Sequence, residues 1–227
     1  MIKRIRFARL RPGATPEDWR DTMRREAEGG VGAAPLRVVV CEVLSGDSPD
    51  ALHDGVGIEW FTDADHLARC DEWAAGRRDE VLDGARSPFL LAEESVMRGA
   101  DWLARRWRSS TDVLKHMALA RRAAGLTSEE FSARWRSRAG TLGSAAGPVL
   151  VIPERAKGQA YIQNHVLPVP PGGWPYDAVN EVYFDDIESL RYRLSWFTEN
   201  MSAGAENDLV STATFLALRE SLVLPLR

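Results

Sequence analysis

Polar side chains alternate with apolar ones in the segment 161–166, which reads Tyr-Ile-Gln-Asn-His-Val. The side chains of a β-strand point alternately to its two faces, so Tyr161, Gln163 and His165 share one face. A neutral imidazole beside a phenol can move a proton next to a carbonyl group while another group stabilises the enolate. The spacing therefore predicts an acid/base site on this strand, with His165 as the acid/base residue.

A second segment, 179–184, reads Val-Asn-Glu-Val-Tyr-Phe and places Glu181 and Tyr183 on one face of a strand. His116 lies on the polar face of an earlier strand. We expect Glu181 or His116 to orient the acid/base residue. The hydrogen-bonding wall around the substrate is predicted to consist of Tyr161, Gln163, Asn164 and Tyr183.

Both halves of the chain show the same order of predicted elements, namely strand, helix, strand, strand, helix, strand. Thr15 followed by Pro16 is typical of a helix start, and Thr127 with Glu130 forms a capping box at the matching helix. In the first half the predicted strands are 2–9, 37–44, 56–61 and 89–97. In the second half the later strands are predicted at 159–167, 177–184 and 214–224.

The two halves are related by an internal repeat. The pattern of Arg9, Gly13, Thr15 and Glu17 recurs 112 residues later, and matches further along the chain lie at offsets of 123 and 126 residues. Because the order is kept and the offset only grows, loop insertions in the second half account for the difference.

A βαββαβ unit folds as a ferredoxin-like half, with helices on one face of its sheet and the other face bare. We therefore predict an α+β protein in which two tandem units bury their bare faces against each other and form a fused, pseudo-dimeric α/β barrel. The predicted boundaries are 1–98 for the first unit, 99–111 for a connector and 112–227 for the second unit.

The lumen between the two sheets is the expected place for a small-molecule site. On this hypothesis the polar side chains of the second unit form one wall of the lumen. The first unit contributes an aromatic and apolar platform, for which we expect Trp60, Ile58, Val38 and Val40, together with the cation of Arg4.

The second unit resembles the EthD family of dimeric α/β barrels. The matching residues are Arg121, Gly125, Thr127, Glu129, Phe131 and Trp135, then Tyr-Ile-Gln-Asn-His at 161–165, then Tyr176, Asp177, Val179, Glu181, Tyr183 and Phe184. The resemblance implies a cofactor-free site on polyketide-like or aromatic substrates. The family usually carries a histidine after the helical tryptophan, whereas Trp135 is followed by Arg-Ser-Arg-Ala-Gly.

The leading hypothesis is a cofactor-independent enzyme that catalyses an acid/base-driven cyclisation, dehydration or rearrangement. One alternative is a cofactor-free monooxygenase that forms quinones, and another is a non-catalytic binding protein for small molecules. We expect a small-molecule substrate and no metal, because the sequence contains neither a metal-ligand cluster nor a glycine-rich phosphate loop. The sequence is also compatible with a homodimer of the whole chain.

Composition excludes several classes of protein. The formal net charge of −4 argues against electrostatic binding of nucleic acid, and the apolar runs are too short for a membrane-spanning helix. The N-terminal residues lack the apolar core of a signal peptide. Cys41 and Cys70 have no metal-binding spacing, so two free thiols and a cytoplasmic location are expected.

Overall fold

The computed structural model describes residues 1–29, 32–48, 52–75, 80–108, 112–137, 141–142, 150–168, 173–201 and 208–225. The strands of this part are β1 (Ile2–Ala8), β2 (Arg37–Val43), β3 (Gly55–Phe61), β4 (Phe89–Arg98), β5 (Val113–Arg122), β6 (Thr141–Leu142), β7 (Leu150–Val151), β8 (Ala160–Val166), β9 (Ala178–Phe184) and β10 (Val210–Leu224). Its α-helices are α1 (Pro16–Gly29), α2 (Ala64–Ala74), α3 (Ala100–Arg106), α4 (Ser128–Ser137), α5 (Glu154–Lys157) and α6 (Ile187–Met201).

Eight of these strands close into one antiparallel barrel in the order β1-β3-β2-β10-β5-β9-β8-β4. The strands of each half keep the ferredoxin-like order, β4-β1-β3-β2 in the first half and β10-β5-β9-β8 in the second. The halves meet where β2 pairs with β10 and where β4 pairs with β8. The predicted fold class, a pseudo-dimeric α/β barrel of two ferredoxin-like units, is confirmed.

Local sequence signals place the helices as expected. Thr15 caps α1, and the backbone N–H of Asp18 donates to the Thr15 hydroxyl. Thr127 and Glu130 form the predicted capping box at α4, since the backbone N–H of each donates to the side chain of the other. These caps fix where the helices begin and therefore which side chains reach the outer face of the sheet.

The interior of the barrel is a packed core rather than an open lumen. Fully buried apolar side chains from all parts of the sheet fill most of it, among them Ile5, Phe7, Val39, Ile58, Leu90, Met117, Leu216 and Leu218. The helices cover the outside, where Trp19 and Met23 of α1 pack on Val38 and Val40. In each unit, the sheet face that carries no helices is therefore buried against apolar side chains from the sheet of the other unit.

This packing corrects the predicted faces of four strands, β1, β2, β5 and β8. The apolar positions of β1 and β5 were expected to face the helices, yet Ile5 and Met117 point into the barrel. Val38 and Val40 were expected inside and instead contact α1. The prediction was wrong because it reserved the interior for polar groups, whereas closure of two sheets on each other makes the interior the main site of apolar burial.

Among the described helices, none is both long enough and apolar enough to cross a membrane.

Candidate functional site

The helix-facing side of the second sheet brings together four of the predicted site residues. Tyr161 packs with the residues that contact α6, and the Gln163 amide reaches the backbone carbonyl of Trp135 in α4 at 3.5 Å. His116 contacts Arg193 of α6. Since alternate residues of β8 share a face, His165 lies on this side as well. The prediction that these residues face the barrel interior was wrong, but they do lie on one common surface.

His116 and Arg193 form a buried pair at one end of this surface. The Arg193 Nε donates to Nδ1 of His116 over 2.7 Å, and its Nη1 donates to the carbonyl of Ala156 over 2.6 Å. Burial and the nearby guanidinium both hold the pKa of His116 well below its usual range. The imidazole is therefore neutral, and since Nδ1 accepts a hydrogen bond, the ring proton lies on Nε2.

Arg193 is a buried cation, and the ion pairs of the described residues include none to it. Burial lowers its pKa to about 9, with a smaller opposing effect of Tyr161, so the guanidinium stays charged at neutral pH. Its cationic carbon lies 4.3 Å from the centre of the Phe197 ring. A buried charge without a counter-ion is costly, so this end of the surface favours an anionic or electron-rich ligand.

Tyr161 and Gln163 form the adjoining polar pair. The Gln163 amide donates to the Tyr161 hydroxyl over 2.9 Å. Burial raises the pKa of Tyr161, with a smaller lowering by this hydrogen bond, and the phenol is protonated at neutral pH. Its hydroxyl proton is thus available to an acceptor in front of the sheet.

His165 lies at the other end of the surface, beside charges of both signs. Burial and Arg136 lower the pKa of His165, and Glu93 on the paired strand partly opposes them. The residue is 8% exposed, so most but not all of its surface is shielded from solvent. A neutral histidine of lowered pKa can accept a proton at neutral pH.

The floor between these groups is half-buried. Ala118 and Asn180 lie in one cross-strand row with Gln163, and both are half-buried although helices cover this side of the sheet. Four buried polar atoms on this side lack a partner in the described part of the chain: Nε2 of His116, Oε1 of Gln163, Oδ1 of Asn180 and Nε1 of Trp135. Unpaired buried groups are rare, and a polar ligand would satisfy a cluster of them around this half-buried floor. We call this region the second-sheet cleft.

The two histidines of the cleft are far apart. His116 lies in the cross-strand row of Tyr161, with Val182 between them. From that row to His165 the distance is about 13 Å along β8, and two strand spacings add about 10 Å across the sheet. The expectation that His116 orients His165 was therefore wrong, and only an elongated ligand could touch both.

Glu181 and Tyr183 do face the barrel interior, as do Trp60 and Ile58, in agreement with their predicted orientation. Asn164 points inward too, and its amide donates to Glu181 over 2.9 Å. Ile58 is part of the packed apolar core. This places Glu181 on the opposite side of the sheet from His165, so it cannot orient that histidine.

A chain of buried charges runs through one end of the barrel. The Lys3 ammonium lies 2.5 Å from one Glu181 oxygen, and the Lys115 ammonium lies 2.7 Å from the other and 2.7 Å from Glu220. Lys3 also pairs with Glu94 at 2.9 Å. Because β1 and β9 are not neighbours in the sheet, the contact between Lys3 and Glu181 crosses the interior.

The buried charges in this row of ion pairs compensate one another electrostatically. Burial alone would raise the pKa of Glu181, but Lys115 and Lys3 outweigh it and hold the pKa well below its usual range. Burial would likewise lower the pKa of Lys3, yet Glu181 and Glu94 raise it. A carboxylate whose pKa is held this low is a poor proton acceptor, so these ion pairs indicate a structural role for Glu181. Its catalytic role remains a prediction.

Arg4 lies on the helix-facing side of the first sheet and not in the interior, where it was expected. It binds both oxygens of Glu59, at 2.7 and 2.8 Å, and also pairs with Asp71 of α2. An open cleft of about 930 Å³ adjoins it. Arg4 occupies the repeat position of His116. The first unit thus neutralises its buried cation, whereas no carboxylate among the described residues of the second unit pairs with Arg193.

Sequence reasoning missed Arg193, Asn180, Lys3 and Lys115. A signal was present for Arg193, because it interrupts the apolar stripe of Leu190, Leu194 and Phe197 on α6. Lys3 and Lys115 interrupt the apolar alternation of β1 and β5 at equivalent positions of the repeat, which marks them as interior charges.

Comparisons with known proteins add little beyond the fold. No protein-family model matches the chain, and no curated protein matches it. Among solved structures it is similar to a putative monooxygenase from Fusobacterium nucleatum subsp. nucleatum ATCC 25586, with 8% identity, 98% of this chain and 92% of that chain covered, and a TM-score of 0.49. A putative monooxygenase from Lactobacillus acidophilus NCFM shows 11% identity, coverage of 99% and 97%, and a TM-score of 0.41. Likenesses at this level carry no information on function.

Proposed function

We propose that this protein is a cofactor-independent enzyme, related to the EthD family, that acts on an aromatic or polyketide-like carbonyl compound. The reaction is a cyclisation, dehydration or rearrangement driven by proton transfer, and it takes place in the second-sheet cleft. The observation that carries the proposal is the buried Arg193 cation, which lacks a carboxylate among the described residues and lies behind the neutral His116.

The polar end of the cleft suits a developing oxyanion. The Nε2–H of His116 is a buried donor without a partner in the described part of the chain, and the Tyr161 hydroxyl lies on the same face. Donors held in place before the reaction stabilise an enolate or phenolate oxygen without having to reorganise. The charge on Arg193 behind His116 strengthens this effect, because the surroundings are shielded from water.

The other end of the cleft supplies the proton acceptor. His165 is neutral at neutral pH, and the flanking charges of Arg136 and Glu93 adjust its basicity. An acidic C–H bond next to a carbonyl lies within a few ångströms of the oxygen that becomes the enolate, so the oxyanion donor for this step must lie nearer to His165 than His116 does. The Tyr161 hydroxyl, which Gln163 holds between the two ends of the cleft, is that donor, and His116 with Arg193 binds a second, remote oxygen of an elongated, fused-ring substrate.

A proton-exchange assay tests this reaction class without knowledge of the natural substrate. In D₂O, the purified protein should accelerate exchange of the acidic methylene protons of 2-tetralone, a flat ketone, as followed by proton NMR. Replacing His165 by Gln should reduce the rate at least about a hundredfold, the usual contribution of a positioned acid/base group. Exchange that is undiminished in this variant would refute the role of His165.

A matched pair of arginine variants tests the oxyanion end. Arg193→Met should weaken binding of 1-hydroxy-2-naphthoate, followed by quenching of tryptophan fluorescence. Arg191→Met on the same helix removes an exposed arginine that pairs with Asp47, and it should leave this binding unchanged. Equal behaviour of the two variants would contradict the proposed role of Arg193.

The same purified protein can be used to distinguish the two alternative functions. Oxygen uptake with 1,8-dihydroxyanthrone would favour a cofactor-free monooxygenase, and saturable binding without exchange or oxygen uptake would favour a binding protein. We also propose a cytoplasmic location, which the two free, buried thiols of Cys41 and Cys70 support, and a small-molecule partner, which the unpaired polar atoms of the cleft support.

A further inference from the structure

The seam between β4 and β8 joins the two units along one side of the second-sheet cleft. The cleft residues of β8 each lie opposite a polar residue of β4, namely His165 opposite Glu93, Gln163 opposite Ser95 and Tyr161 opposite Arg98. Polar residues of the first unit therefore border the cleft, although its floor belongs to the second unit.

Glu93 points to the same side of the barrel wall as His165. Its neighbours along β4 point inward, because Ala92 belongs to the apolar core and Glu94 pairs with the interior Lys3. The Cβ atoms of directly opposed residues lie about 4.5–5.5 Å apart. A rotation about the side-chain bonds of Glu93 therefore brings its carboxylate to the imidazole without movement of the backbone.

The cross-strand row of His165 contains one other polar side chain. On β9 the histidine lies opposite Ala178, and on β4 it lies opposite Glu93, whose other neighbour is Ile2 of β1. The side chains of alanine and isoleucine form no hydrogen bonds. Within this row, Glu93 is thus the one acceptor that the imidazole can reach.

Neither side chain is engaged elsewhere in the part of the chain that the structure describes. The hydrogen bonds and ion pairs of the described residues include none to the Glu93 carboxylate or to the His165 imidazole. Besides burial, which has the largest effect, Arg136 and Glu93 shift the pKa of His165. A guanidinium has no acceptor atom, so Arg136 cannot hold an imidazole N–H.

The other seam of the barrel carries a matching pair. Glu42 occupies the repeat position of His165, at the offset of 123 residues, and Arg219 occupies that of Glu93, at the offset of 126. Where β2 pairs with β10, Glu42 lies opposite Arg219. A carboxylate thus faces a basic group at the same place in both seams. The pair at the cleft is the one that contains an imidazole, which exchanges a proton near neutral pH.

We propose that Glu93 of the first unit is the positioning residue of His165. Its carboxylate accepts a hydrogen bond from the imidazole nitrogen that faces β4, so the other nitrogen presents its lone pair to the cleft. That nitrogen takes the proton of the substrate C–H bond, whose electron pair stays on the substrate as the enolate, and Glu93 stabilises the resulting imidazolium. The inference rests on the proposed function of the cleft, and it makes the site a joint product of both units.

The tautomer of His165 tests this contact without any substrate. Long-range ¹H–¹⁵N NMR spectra of the full chain, in which His165→Gln identifies the signals, should show one dominant neutral tautomer. Glu93→Ala should change the ratio of the two tautomers, because it removes the acceptor that selects one of them. Glu42→Ala removes the equivalent carboxylate at the other seam and should leave the ratio unchanged. The same ratio in the wild type and in Glu93→Ala would overturn the proposal.

The kinetics of 2-tetralone exchange separate positioning from a merely structural role. Glu93→Ala should lower kcat at least about tenfold, the effect of losing one hydrogen bond to a charged group, and should leave KM nearly unchanged. Glu93→Gln should lie between this variant and the wild type, because its amide oxygen still accepts a hydrogen bond but carries no charge. Glu42→Ala should behave like the wild type. An unchanged kcat in Glu93→Ala would contradict the assignment.

The two measurements also keep this inference apart from the proposed function. A wild-type protein that does not exchange 2-tetralone would count against the proposed function alone, since the tautomer ratio is measured on the free protein and decides the role of Glu93 by itself. If Glu93→Ala fails to fold, Glu93→Gln keeps the shape of the side chain and supplies both measurements.

Discussion

The Nε atom of Arg193 donates a hydrogen bond of 2.7 Å to Nδ1 of His116, and this contact sets the chemistry of the histidine. It holds the imidazole neutral and directs its one proton to Nε2, which is buried and lacks an acceptor among the described residues. The contact joins α6 to β5, so the donor keeps its direction as long as the helix stays packed on the sheet.

The first prediction concerns the pH dependence of stability through His116. Its pKa in the folded protein is well below the value of about 6.5 in an unfolded chain, so the unfolded state binds the proton first. The stabilisation is complete above about pH 6.5 and is lost as the pH falls below it, with a slope approaching about 1.4 kcal/mol per pH unit for this one group. Urea unfolding between pH 7.5 and 5 should show this slope.

His116→Phe is the control for that slope, because it fills the site with an aromatic ring that does not titrate. His53, whose pKa burial lowers to about 4, contributes in the same direction and remains in both proteins. The difference between the two slopes therefore reports on His116 alone. Parallel curves for wild type and variant would show that His116 titrates normally.

The second prediction uses the charges beside His165. Arg136 lowers the pKa of this histidine and Glu93 raises it, after the larger lowering by burial. Arg136→Gln should therefore raise the pKa measured by proton NMR titration, and Glu93→Gln should lower it. Arg134→Gln, on the same helix but paired with Asp208, should leave it unchanged. Shifts of the same sign in the first two variants would disprove the electrostatic account.

The third prediction separates a structural role of Glu181 from a catalytic one. Glu181→Gln leaves Lys3 and Lys115 with one buried carboxylate partner each, so the free energy of unfolding should fall by about 3–5 kcal/mol. Glu154→Gln breaks an exposed pair with Lys157 and should leave the melting temperature unchanged. A Glu181→Gln protein as stable as the wild type but inactive would instead favour catalysis at Glu181.

The fourth prediction concerns the close packing of α1 on β3. A Cβ atom at Gly55 would lie 2.5 Å from the Trp19 ring and 2.8 Å from the backbone oxygen of Cys41. Gly55→Ala should therefore destabilise the protein by about 3 kcal/mol, the upper end for an overpacked site. Gly46→Ala meets no atom within 4 Å and should change stability by less than about 0.5 kcal/mol. Chemical denaturation of both variants measures the difference.

Local patterns predicted the eight barrel strands and the main helices of each unit, but not β6, β7 and α5. Helix caps such as Thr127 and Glu130 act within a few residues, and strand alternation acts within one strand, so both can be read from the chain. The repeat added the long-range information, because two copies of one βαββαβ pattern must cover each other's exposed sheet faces. The predicted alternation also grouped Tyr161, Gln163 and His165 on one face.

Which side of the sheet that face occupies was decided only by the tertiary structure. Alternation divides a strand into two faces, but it does not state which of them meets the other sheet and which meets the helices. The burial of Ile5 and Met117 inside the closed barrel settles this, since pairing two apolar sheet faces removes more apolar surface from water than a polar lumen would. Contacts across the barrel or between helix and sheet, such as Lys3 with Glu181 and Arg193 with His116, join residues far apart in the chain and exist only once the barrel has closed.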